Sequence, residues 1–368
     1  MAVHFASVSY INSSLLSQFV GDSFLSLLYI LGSLLTILFL FAGPFLLRKF
    51  GSVPVFLFVV ALEIGAVFGL GSASLAILVV LFFLIHLSAD PVLYLCLDVN
   101  LEEETKLEST TGVKRGILLT ISNAAWVISP LALVFLINQN NFSKVYLLSG
   151  LALVPLFFII LTFFKNVKKA TVTDSNIFRI MRSLWGGGDK VRIIGTQFVL
   201  NFFYAWMVIY LPLLLNKEVG FGWDKIGYIF VVMLLPFVIF QLPAGFLADK
   251  KFGEKEILIV GFIIMSAATF ILPTLAMPVF WIWALALFVT RIGASLVEVA
   301  SETYFFKYVK EEDTGLISLF RIARPFAYVI APLFAVPIIY FTSYSTSFLF
   351  LAIMTLSGLF FIPRVDTK

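Results

Sequence analysis

Ala76-Ile-Leu-Val-Val-Leu-Phe-Phe-Leu-Ile85 runs for ten residues without one polar side chain. A strand of a transmembrane barrel would alternate lipid-facing with lumen-facing residues over about ten positions. An unbroken apolar run of this length therefore excludes a barrel and reads as part of a helix in lipid. Runs of the same kind, bounded by Gly, Pro, Asn and charge clusters, fall near 22–47, 53–72, 74–99, 115–138 and 144–164. After a polar stretch they resume near 193–215, 223–247, 256–276, 277–302, 315–340 and 345–363. These are eleven spans. Composition agrees, since 61% of the 368 residues are hydrophobic and 12% charged, against about half and a quarter in a soluble domain. Twelve spans of about 20 residues would need about 240, and the hydrophobic fraction supplies about 224. The fold class is all-α, a polytopic helical membrane protein.

Several chemistries are excluded by the same inventory. One cysteine, Cys96, rules out an intrachain disulfide framework, and two histidines, His4 and His86, leave little for a metal cluster, so no cofactor or metal is expected. The net charge of +4 sits in short loops between apolar spans, where it sets orientation, and no nucleic acid partner is expected. Gly186-Gly187-Gly188-Asp189-Lys190 lacks the spacing of a nucleotide-binding loop, so ATP-driven work by this chain is unsupported. The acidic loop Glu102, Glu103, Glu104 and Glu108 has no metal-like pattern, and an enzyme is not expected. No Lys or Arg precedes Arg48, so the start lacks the basic region of a signal peptide.

The sequence repeats itself at an offset of 202 residues in two places. Ala42, Gly43, Lys49, Phe50 and Gly51 recur as Ala244, Gly245, Lys251, Phe252 and Gly253, and Ala125, Val127, Ile128, Pro130 and Leu131 recur as Ala327, Val329, Ile330, Pro332 and Leu333. A parallel duplication of six-helix halves follows. The domains expected are an N-terminal bundle over 1–164, a basic linker over 165–192 and a C-terminal bundle over 193–368. The seventh span starts near Ile193, so its counterpart would start before Met1, and residues 1–10 are too few to cross a bilayer. The first helix reads as truncated. The linker carries Lys165, Lys168, Lys169, Arg179, Arg182, Lys190 and Arg192 against Asp174 and Asp189, which makes it cytoplasmic. Arg48, Lys49, Lys250, Lys251, Lys255, Lys307 and Lys310 then fall on the same side, and the opposite loops hold Lys144, Lys217 and Lys225.

Gly245-Phe-Leu-Ala-Asp249-Lys250-Lys251-Phe-Gly253-Glu-Lys255 resembles the Gly-x-x-x-Asp-basic-x-Gly-basic loop motif of the major facilitator superfamily. The first-half copy, Gly43-Pro-Phe-Leu-Leu47-Arg48-Lys49-Phe-Gly51, has Leu47 where the acidic residue belongs. The resemblance implies two pseudo-symmetric six-helix bundles and secondary transport of a small molecule by alternating access. It also implies a latch in which Asp249 meets Arg321 or Arg324 at the start of the eleventh helix. A static helix cap is the other reading of Asp249. The partners expected are a small-molecule substrate, the lipid bilayer and protons, and the expected form is a monomer in the plasma (cell inner) membrane. The degenerate first motif keeps open a second reading, a transporter-like sensor or scaffold without net transport.

Ionisable residues inside the spans are costly and mark function or buried pairing. Arg291, Glu298 and Glu302 lie seven and eleven residues apart, on one face of the tenth helix. Glu302 and Glu298 suit the latch network, and Arg291 suits an anionic group of a substrate. The other reading of Arg291 is a structural pair. His86 and Asp90 lie one turn apart on the fourth helix, followed by Pro91, and form a candidate proton site; a buried pair at a kink is the alternative. Glu63 and Asp98 rank lower, Glu63 because the resemblance puts its helix at the periphery. Gln197, Asn201 and Tyr204 make a neutral hydrogen-bonding face on the seventh helix, or glue between helices. Asn123, Trp126 and Gln241 are placed at the cavity border. In the family, helices one, four, seven and ten line the central cavity, which implies that Arg291 faces His86 and Asp90 across it.

Overall fold

A computed structural model of the chain describes residues 1–105, 121–138, 140–164, 188–248, 252–275, 277–308 and 314–364. Among them are ten helices long and apolar enough to cross a membrane, a shorter apolar helix at Ile121–Leu136, and no strand. The chain divides into two compact units, Met1–Val172 and Thr173–Lys368. The first holds α1 (Ala2–Val8), α2 (Asn12–Val20), α3 (Asp22–Phe50), α4 (Ser52–Ser72), α5 (Ala76–Thr105), α6 (Ile121–Leu136) and α7 (Ser143–Phe163). The second holds α8 (Asp189–Leu213), α9 (Trp223–Ile239), α10 (Gln241–Leu247), α11 (Glu254–Ile271), α12 (Phe280–Tyr308), α13 (Thr314–Phe341) and α14 (Tyr344–Leu356).

The repeat seen in the sequence is a repeat of structure. Gly51 and Gly253 stand between helices with φ of 90° and 98°, a backbone region open to glycine at little cost. The helices that follow them open at Ser52 and Glu254, at the same offset. In the first unit α4 packs on α5 and α7, and α3 on α5; in the second α11 packs on α12 and α14, and α9 on α12. Equivalent helices thus meet equivalent neighbours within each unit.

The start of the chain departs from the apolar pattern. Residues 2–20 form two helical segments, α1 and α2, separated at Ser9 to Ile11. A hydropathy reading stops at Tyr10 because Asn12, Ser13 and Ser14 follow, yet all three are buried. Asn12 bonds to His86 and Tyr146, which offsets its loss of water, whereas the hydroxyls of Ser13 and Ser14 have no hydrogen-bond partner among the described residues. A second polar group supports α5. Pro91 has no N–H to give the carbonyl of Leu87 one turn earlier, and the Thr36 hydroxyl of α3 donates to that carbonyl at 3.1 Å.

Two features fix the polar face of the second unit. α9 contains Pro236 and ends at Ile239, and α10 restarts at Gln241, which sets that amide at the first turn of a new segment. α11 and α12 cross closely, since a Cβ built on Gly293 would stand 2.5 Å from the carbonyl oxygen of Gly261. That crossing, of the small-residue kind that lets helices in membranes approach, sets the position of Arg291 one half-turn earlier. At the far end of α8 the carboxylate of Glu218 accepts from the backbone N–H groups of Tyr344 and Ser345, at 2.7 and 2.9 Å. This anion caps the N-terminus of α14.

Candidate functional site

In the first unit the buried ionisable groups gather around Glu63. This side chain of α4 is fully buried, as are His4 of α1 and His86 of α5. His86 Nδ1 lies 2.5 Å from Glu63 Oε1, and His4 Nε2 stands 3.0 Å from the same oxygen as an ion-pair contact, off the line of a hydrogen bond. Glu63 Oε2 has no hydrogen-bond partner among the described residues. Each histidine is held from behind. His86 Nε2 meets Asn12 Nδ2 at 3.2 Å, and Tyr146 donates its hydroxyl to Asn12 Oδ1 at 2.7 Å. His4 Nδ1 meets Ser149 Oγ at 2.7 Å, and that hydroxyl also lies 3.0 Å from the carbonyl oxygen of His4. Asp90 is buried one turn beyond His86, and its charge acts on that ring.

His4, Glu63 and His86 are residues of metal-binding type, with ligand atoms within 4.8 Å of one another. Zinc with bonds of about 2.0–2.1 Å spreads tetrahedral ligands to separations of about 3.3 Å. The contacts here, at 2.5 and 3.0 Å, have the lengths of hydrogen bonds and ion pairs. The carboxylate that holds His86 is therefore Glu63, from a neighbouring helix, with Asp90 as a second acidic neighbour. Sequence spacing could not show this, because α1, α4 and α5 bring the three groups together from positions far apart in the chain. Of the two cavity-border candidates on α6, Asn123 is half-buried, and Trp126 packs edge-on against Phe5 and Tyr10, with ring centroids at 5.4 and 6.3 Å.

In the second unit the polar residues singled out on three helices converge. Gln241 Nε2 of α10 donates to Glu298 Oε2 at 3.0 Å, and the Tyr204 hydroxyl of α8 reaches the same oxygen at 3.4 Å. Ser301 Oγ donates to Gln197 Oε1 at 3.2 Å, while Asn201 Nδ2 turns back onto the carbonyl of Gln197 at 2.8 Å. Arg291 is 1% exposed, its guanidinium lying over the rings of Phe203 and Tyr204 at 5.0 and 5.7 Å. Its Nε and Nη1 have no hydrogen-bond partner among the described residues. Down the α12 stripe Glu298 is half-buried and Glu302 exposed. Arg324 and Arg291 act on the charge of Glu298, and Arg321 on that of Glu302. A Cβ built on Gly245 would lie 3.7 Å from the Val299 side chain, and Gly253 makes its left-handed turn before α11. Asp249 and Lys250 of the loop motif, and residues 165–187 of the basic stretch, lie outside the described residues.

These features define a class: a multi-pass integral membrane protein of two repeated helical units, with charged groups buried in the spans. A family model described as Major Facilitator Superfamily matches residues 193–368. Across 98% of the chain the fold is similar to that of the nucleoside transporter NupG (a D323A mutant), at 12% identity and a TM-score of 0.73, covering 96% of that protein. It is likewise similar to a bacterial homologue of the human lysosomal transporter Spinster, in an inward-facing and unoccupied conformation. There the identity is 12% and the TM-score 0.71, over 98% of this chain and 91% of that one. No curated protein sequence matches. The C-terminal unit is thus similar in sequence to the major facilitator superfamily, and the whole chain is similar in fold to these two transporters.

Proposed function

We propose that the protein carries a small molecule with an anionic group by alternating access, driven by a proton gradient. The observation that carries this reading is Arg291, a buried guanidinium with two nitrogens lacking partners. A buried charge whose donors lack hydrogen-bond partners is expensive, and a substrate carboxylate or phosphate would supply them. Glu298, Tyr204, Gln241 and Gln197 offer hydrogen bonds to the rest of the molecule. The buried cluster of His4, Glu63, His86 and Asp90 carries the proton. Helices four, seven and ten, which the family resemblance makes cavity-lining, bear most of these groups.

A thermal-shift screen of the purified protein against organic anions, sugars, amino acids and hydrophobic cations tests the substrate class. Stabilisation that grows with ligand concentration is expected from organic anions. Response to sugars or cations alone would overturn the anionic reading. Uptake into vesicles separates a carrier from a sensor or scaffold, which would bind without moving its ligand.

The basic stretch and the Asp249 loop are proposed to face the cytoplasm of the cell's plasma membrane, from the asymmetry of Lys and Arg. Cys96 is buried, so a Cys96→Ala background should carry single cysteines at Lys169 and Lys250 without interference. Both should react only with reagents that reach the cytoplasm, and labelling from outside intact cells would reverse the orientation. Asp249 is proposed to latch to Arg321, Arg324 or the N–H groups beside them in one state of the cycle. Asp249→Asn should slow transport and shift the inward and outward populations while expression stays near wild type. Unchanged transport kinetics would leave Asp249 a static cap.

A further inference from the structure

The hydrogen-bond partners of the two histidines differ in what they allow. Tyr146 donates to Asn12 Oδ1, so the Asn12 amide presents its NH2 to His86 Nε2. That nitrogen then accepts, and the proton of His86 sits on Nδ1, pointing at Glu63. A second proton on His86 would need the amide turned over, and the buried Tyr146 hydroxyl would lose its acceptor.

His4 is under no such restriction. Ser149 Oγ lies within hydrogen-bond distance of both His4 Nδ1 and the His4 carbonyl oxygen, at 2.7 and 3.0 Å. A hydroxyl has one hydrogen to give and lone pairs to accept with. With its hydrogen on Nδ1, His4 is neutral and protonated at Nε2. With its hydrogen turned to the carbonyl, Oγ accepts from Nδ1–H and the ring holds two protons. Rotation of a single hydroxyl thus accommodates gain or loss of one proton with Nδ1 and Ser149 bonded in both states. The contact of His4 Nε2 with Glu63 is off-axis, and an off-axis contact attracts strongly only when the ring is charged.

We propose that His4 is the proton-exchanging member of this cluster: a proton entering at Nδ1 turns the Ser149 hydroxyl to the His4 carbonyl, and the resulting imidazolium pairs with Glu63. His86 stays neutral and orients the carboxylate. Since α1 packs on α7, the pair adds a charge-controlled tie from α1 to α4. The groups that bear on His4 are Glu63 from α4, His86 from α5, and the α-amino group of Met1 on its own segment; Asp90 of α5 bears on His86. This deepens the proton-coupled reading above. Its test reads protonation and not transport, so either can fail alone.

The chain has two histidines, so protein labelled with 15N-histidine and held in lipid gives two ring systems. His4→Gln or His86→Gln, whichever folds, suffices to assign both in the wild-type spectrum. Over pH 5 to 9 the His4 ring is expected to pass from two N–H groups to one, while His86 shows a single Nδ1–H throughout. Ser149→Ala removes the acceptor for Nδ1–H and should at least halve the doubly protonated fraction of His4 at the wild-type midpoint. A His86 ring that gains a second proton while His4 stays unchanged would overturn the assignment, as would two rings with no change across the range.

Discussion

Asp90→Asn is expected to abolish accumulation of substrate against a gradient while passive exchange continues. Asp90 is buried on α5 beside the Glu63 cluster. Glu63 is committed to both histidines through one oxygen, so Asp90 is the acid of the cluster left to relay the proton that His4 exchanges. A carboxylate in a span needs a proton or a cation when water is excluded during closure. Asparagine keeps the shape and the hydrogen-bonding capacity but carries no exchangeable charge. Vesicles with an imposed pH gradient should therefore show uphill transport in the wild type, dependent on pH, and only equilibration in the variant. Retained uphill transport with unchanged pH dependence would refute the role of Asp90 and make Glu298 the next candidate.

The architecture was legible because its signals are local and repeated. Apolar length gave the helices, and the offset of 202 residues gave their pairing into halves, down to the two turn glycines Gly51 and Gly253. The Arg291, Glu298 and Glu302 stripe followed from the helical period alone. Contacts between helices were another matter. His4 and Glu63 meet although 59 positions separate them, which no periodicity within one span reports. Glu63 was ranked low because the resemblance put its helix at the periphery, although the cost of a charge in lipid already argued that it faced protein. The first helix was read as truncated because residues 1–10 are too few to cross a bilayer and the repeat offset puts its start before Met1; residues 2–20 form two short helices. Asn12, Ser13 and Ser14 are buried, and Asn12 sits where its amide orients His86.

Arg291→Leu is expected to raise the thermal stability of the protein while removing its response to anionic ligands. An Arg at the centre of a span costs about 2.5–3.5 kcal/mol on insertion scales, and an unpartnered buried donor adds about 1–3 kcal/mol. Stacking on Phe203 and Tyr204 returns about 0.5–2 kcal/mol. The balance is unfavourable by at least about 1 kcal/mol in the empty state, so leucine should move the unfolding midpoint upward. Glu298 is not stranded by the change, because Arg324 also acts on its charge and Gln241 still donates to it. A structural role predicts the opposite sign: if Arg291 served as the counter-ion of Glu298, removing it would leave a half-buried carboxylate with less compensation and lower the midpoint. Thermal unfolding of wild type and variant, each with and without an organic anion, separates the two. A variant that melts below wild type, and a wild type that no anion stabilises, would make Arg291 a structural residue and remove the anionic substrate from the mechanism.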